Sequence, residues 1–147
     1  MHTDLERFLK AQEASYATAL AEIQSGRKRS HWMWYIFPQI QGLGRSATAQ
    51  YYAIRGEAEA RAYMAHPLLA ARLREISAAL LALESSDARE IFSPPDDSKL
   101  RSSMTLFYAV SGERVFQAVL DKFFGGREDA RTRELLGGAA AHRMCDF

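Results

Sequence analysis

Cysteine is almost absent from this chain: Cys145 is the only one among 147 residues. One thiol forms no intrachain disulfide and supports no cysteine-based zinc site, so the core alone must hold the fold. That usage suits a reducing compartment, and a cytoplasmic location is the expectation. Long apolar runs are missing too. None approaches the roughly 20 residues that span a bilayer, and the opening MHTDLERFLK has neither the basic flank nor the apolar stretch of a secretory signal. No membrane partner is expected. Charge of one sign is also lacking, since 19 Lys and Arg against 18 Asp and Glu leave a net charge of +1. Whole-chain electrostatics therefore gives no argument for nucleic acid or membrane binding; nucleic acid is not the expected partner, and any anion site must rest on a local patch. His2, His31, His66 and His142 share no metal-ligand spacing, and no P-loop or Rossmann glycine pattern occurs. Neither a metal nor a cofactor is expected.

What is present reads as one ordinary globular domain, 48% hydrophobic and 25% charged. A domain of this length buries roughly 68–70% of its unfolded surface, enough for a real core. Thr3, Asp4, Leu5 and Glu6 read as a capping box. Leu5, Phe8, Leu9, Tyr16, Leu20 and Ile23 then recur at helical spacing until Gly26. Gln12 is the odd polar member of that stripe, expected at its boundary or turned into a pocket. Further helical stretches are predicted over 47–54 after a Ser46 cap, over 57–65, from Leu68 to Leu83, after a cap at Asp96, Asp97 or Ser98, and over 113–124. Ser86 to Glu90 reads as a short capped turn. The segment from about 137 is read as a frayed tail of a single domain over 1–147. No alternating strands and no repeat occur, so the predicted fold is all-α or nearly so, an irregular multihelical single domain.

Two stretches carry possible chemistry. In SHWMWYIFPQIQGLG, four aromatic rings crowd Trp32, Trp34, Tyr35 and Phe37, and Pro38 pushes Phe37 out of helical conformation. Large aromatics serve burial first, so most of these belong to the core. One indole, with His31 and Gln39, can instead line a cleft, stacking on a flat ring while the amide reads its edge. The preceding Arg27, Lys28 and Arg29 read as a solvated turn or as a phosphate contact. The second stretch is PDDSKLRSSMT. If Asp97 caps a helix there, Ser98, Arg101, Ser102 and Thr105 share one face. Lys99 and Arg101 near that helix start can meet an anion, or can simply be solvated. Asp97 is the best carboxylate for chemistry at a sugar carbon. A Ser103, His31 and Asp97 triad lacks its nucleophile elbow and is set aside.

HWMWYIFPQIQGLG, AEARAYMAHPLLAARL, PDDSKLRSSMTLFYAV and VLDKFFGG together resemble the bacterial family catalogued as domain of unknown function 1810, sometimes labelled calpastatin-like. The resemblance runs from about Leu5 to Leu136. It implies an all-helical, stand-alone cytoplasmic protein and no established activity. A shorter likeness, Phe8-x-x-Ala11-Gln12 with Arg101-x-x-Met104 and Lys122-Phe123, is similar to the NADAR (YbiA-like) family, whose members act on N-glycosidic bonds of ADP-ribosyl groups or related nucleotides. Two functions follow. One is a site for an anionic small molecule, nucleotide-like or ADP-ribosyl-like, with possible N-glycoside hydrolysis. It would use His31, Trp34 and Gln39 for the flat part, Lys99, Arg101 and Ser102 for the polar part, and Asp97 as catalytic carboxylate. The other is a non-enzymatic helical module that acts through protein contacts.

Overall fold

The computed structural model describes residues 4–144, with side chains described through residue 137, and within them nine helices follow one another with short loops between. These are α1 (Glu6–Gln24), α2 (Met33–Ile36), α3 (Ala47–Tyr52), α4 (Glu57–Ala65), α5 (Pro67–Leu81), α6 (Ala88–Phe92), α7 (Asp96–Ser111), α8 (Arg114–Phe124) and α9 (Ala130–Met144). The architecture is all-α and multihelical. Its one β-like feature among the described residues is an isolated parallel bridge between Ile40 and Ile54. Thr3 of the expected capping box lies outside the described residues, as do the side chains of the expected frayed tail beyond Gly137.

α5 sits between α1 and α8, while α7 packs on both α8 and α4 and carries α9 on a further side. The apolar spacing of α5 accounts for its place: Leu69, Leu73, Ile76 and Leu80 fall on one stripe and all are buried. Phe107 of α7 fills the centre, its ring 5.0 Å from Tyr63 of α4 and 6.2 Å from Phe116 of α8. The junctions obey local chemistry. His66 closes α4 and opens α5, its Nδ1 accepting from the amides of Leu68 and Leu69, and Pro67 takes the first helical position, where no amide is needed. Asp87 and Ser46 cap α6 and α3 in the same way. Gly125 ends α8 in the left-handed conformation, φ +62°.

Gln12 is a buried core residue, not a boundary one. It is 1% exposed, and its amide donates to the Tyr35 carbonyl at 2.8 Å and the Tyr63 hydroxyl at 3.0 Å. A polar group in an apolar stripe is tolerated because its donors are matched. Arg7 is likewise buried, and its guanidinium pairs with Glu59 at 2.6 Å and donates to the carbonyls of Tyr51 and Ala53. This ties α1 to the α3–α4 corner. The Ile40–Ile54 bridge completes the frame, with the Gln41 amide on the Ile54 carbonyl at 2.7 Å and the Ile54 amide on the Gln39 carbonyl at 2.8 Å. Residues 39–41 are thereby held beside the end of α3.

Candidate functional site

The aromatic segment folds as a single helical turn, α2, between a bend and Pro38. One turn cannot point every ring the same way. Met33, Ile36 and Phe37 turn inward with Trp32 and are nearly solvent-free. Trp32, Phe37 and Phe92 form an aromatic cluster with centroids 6.0–6.4 Å apart. Trp34 and Tyr35 face outward and are only partly buried. The Tyr35 hydroxyl donates to Ser15, and its ring lies 5.2 Å from Tyr52. Trp34 lines a shallow depression with Gln39, Gly44, Ala49 and Tyr52. Gly44 leaves the space, since a Cβ there would stand 2.5 Å from the Cβ of Ala49. About 10 Å³ is open to a water centre, roughly the room for one solvent molecule.

Over the indole of Trp34 sits Lys99, its ammonium 5.6 Å from the ring centroid. Lys99 also pairs with Asp96 at 3.2 Å, and Asp96 pairs with Lys28 at 2.9 Å. Lys28 in turn lies 5.3 Å over the Trp32 ring, and its backbone N–H donates to the Ile91 carbonyl. The turn that carries Lys28 is fixed by Glu22. This carboxylate accepts from the amides of Arg29 and Ser30, the Ser30 hydroxyl and the Trp32 indole N–H, at 2.6–2.9 Å. Burial alone would raise the Glu22 carboxyl, but those four donors outweigh it and bring its pKa down to about 2.

The structure brings three of the expected site residues together: Trp34 and Gln39 in the depression and Lys99 against the indole. His31 is exposed and does not line the depression. Arg101 and Ser102 do share a helix face with Thr105, as their spacing implies, but that face meets the start of α9. Arg101 donates to the Glu128 carbonyl at 3.0 Å, Ser102 bonds Asp129, and Thr105 accepts the Asp129 amide at 2.8 Å. Asp97 is not a helix cap. Pro95 occupies the cap position and α7 begins at Asp96, so Asp97 already lies within the first turn. Its Oδ1 is shielded from solvent and has no hydrogen-bond partner, as is also true of Arg101 Nε and Ser103 Oγ. Three unmatched polar atoms in the first two turns of one helix are unusual for a core element. The segment before them is strained as well, with Ser93 at φ +61°.

Reasoning from sequence missed Tyr52, Gly44 and Ala49, and it read Asp96 as a helix cap without its pairing to Lys28 and Lys99. The Ser46 cap marks the start of α3 in the sequence, but only the pairing of Ile40 with Ile54 shows that Gly44 and Ala49 close beside Trp34. No group of three or more His, Cys, Asp or Glu among the described residues is placed to hold a metal ion. No helix among those residues is long and apolar enough to cross a membrane.

No curated protein matches the chain. Among solved structures it is similar to the conserved hypothetical protein Rv1873 from Mycobacterium tuberculosis, with 47% sequence identity and a TM-score of 0.89 over 91% of this chain and 96% of that one. The likeness to the NADAR family and the calpastatin-like label draw no support from these matches. The model of the family described as "Protein of unknown function (DUF1810)" matches residues 2–136, and the chain belongs to that family.

Proposed function

We propose that the protein binds a small molecule with a flat ring and an anionic group, nucleotide-like or ADP-ribosyl-like, at the Trp34 depression. One observation carries this reading: of the two tryptophans, Trp32 is sealed in the core, whereas Trp34 keeps a face for a neighbouring lysine beside an amide, Gln39, and a phenol, Tyr52. A ring stacks on the indole, Gln39 bonds its edge, and Lys99 meets the anion. As it stands the depression is water-sized, so the ring lies across its mouth after Lys99 swings off the indole. Lys99 is 26% exposed at its side chain, which leaves it room to do so.

N-glycoside hydrolysis rests on Asp97 alone. Its unmatched Oδ1 favours a further role, but Asp97 lies two residues before Lys99, which is about 200° round the helix. Binding is therefore the primary reading and turnover the secondary one. An interaction module would present apolar surface. The large exposed apolar side chains among the described residues, Tyr51 and Leu68, stand on different helices, α3 and α5.

The test is a tryptophan-fluorescence titration with ADP-ribose, AMP and inorganic phosphate. A saturable change with ADP-ribose or AMP that disappears in Trp34→Phe supports the cleft. A response that survives Trp34→Ala with unchanged affinity refutes it. The same samples, assayed for release of the base, decide the role of Asp97: loss of cleavage with retained binding in Asp97→Asn supports catalysis.

A further inference from the structure

We infer that Lys28 and Lys99 form an oxyanion seat which the chain's own Asp96 fills when no ligand is bound. The inference rests on the Trp34 reading above and names the group that the ligand brings: a phosphate-type oxyanion. Lys28 is the anchor. Its side chain is 8% exposed, and burying an ammonium is costly unless an anion meets it. Asp96 supplies that anion at 2.9 Å from Lys28 and 3.2 Å from Lys99, so one carboxylate bridges both.

The two lysines are fixed from opposite sides. Lys28 is set by the Glu22-bound turn and by its own amide on Ile91, and it lies over Trp32. Lys99 rises from the first turn of α7 over Trp34. Each ammonium thus has an indole face on one side and the Asp96 carboxylate on another. A phosphate-type group has three or more acceptor oxygens and can bridge the same two ammonium groups. The incoming anion displaces Asp96, and Lys99 leaves the indole to follow it. That motion opens the water-sized depression to the ligand's ring. Arg27 and Arg29, both exposed beside Lys28, add positive potential on the approach.

Displacing a resident carboxylate weakens anion binding, and neutralising it must strengthen binding. The full-length chain, labelled with 15N at its indoles, is titrated with inorganic pyrophosphate as wild type, Asp96→Asn and Asp96→Asn/Lys99→Met. Affinity should rise about tenfold in Asp96→Asn, the value of one partly buried charge contact, and the gain should vanish in the double variant. The Trp34 indole signal should move with saturation. Equal or weaker binding in Asp96→Asn, or no binding in either protein, overturns the seat. Asp96→Ser, which keeps a polar group at the start of α7, is read by the same criteria should the asparagine variant misfold. If pyrophosphate tightens while ADP-ribose and AMP never bind, the seat stands and the ring cleft fails. If those ligands bind through Trp34 while pyrophosphate is indifferent to Asp96, the cleft stands and the seat fails.

Discussion

Glu22 does at one residue what a disulfide or metal does elsewhere in small proteins: it fixes an otherwise irregular turn. Three of its four donors come from two consecutive residues, Arg29 and Ser30, and the fourth is the Trp32 indole; with the side chain truncated that N–H would have no acceptor. Leaving buried donors unmatched costs about 1–3 kcal/mol, so Glu22→Ala, which removes every acceptor, should lose stability in that range by urea unfolding. The pH dependence has a definite sign. A carboxyl whose folded pKa is about 2, below its ordinary value of 4.5, stabilises the fold above that ordinary value, and the contribution drains away as pH falls from 4.5 through 2. Glu22→Gln should flatten that part of the acid limb of stability; an unchanged limb would show that the turn does not depend on the carboxylate. The two tryptophans should separate equally clearly. Trp32→Ala empties a solvent-free site and should cost about 3–5 kcal/mol. Trp34→Ala should cost well under that while removing ligand response. Nothing in the string WMW distinguishes them, because the choice depends on where Pro38 stops the turn.

At the scale of elements, the fold turns on connections between helices distant in sequence. Arg7 reaches from α1 to Glu59 of α4 and to the end of α3, with both charges buried. Removing one partner strands the other, so Arg7→Met should destabilise by about 3–5 kcal/mol, far beyond an exposed pair such as Arg61–Glu57. Equal losses for Arg7→Met and Arg61→Met would contradict this. α7 shows how a correct helical spacing can be given two meanings. Arg101, Ser102 and Thr105 do fall together, yet the face fastens the loop into α9 through Glu128 and Asp129. Lys99, two residues before Arg101, faces Trp34 instead. Periodicity assigns side chains to faces; it does not say which neighbour each face meets.

For the whole molecule, legibility followed locality. Helices with an apolar stripe and a local start or stop signal, such as α1 ended by Gly26 and α5 opened by His66–Pro67, could be read from the chain because signal and stripe lie within a few residues. The depression could not, because its walls come from 34–44 and 49–53, joined by the Ile40–Ile54 bridge. Lys99 reaches the indole from α7, whose start is tied to Lys28 by an ion pair across 68 positions, Lys28 to Asp96. Gln12 and Arg7 were hidden for the same reason: their partners lie far along the sequence.

The measurement that bears most directly on the cleft is thermal unfolding of wild type and Lys99→Ala with and without ADP-ribose. At a hundred times its dissociation constant, a ligand that binds only the folded state stabilises by about 2.7 kcal/mol, and each kcal/mol moves the midpoint of a domain this size by roughly 2–4 °C. A rise of about 5–11 °C in wild type, absent in Lys99→Ala, is the predicted result. A rise of the same size in both proteins, or none in wild type with ADP-ribose, AMP or NAD, would contradict the Trp34–Lys99 cleft as the binding site.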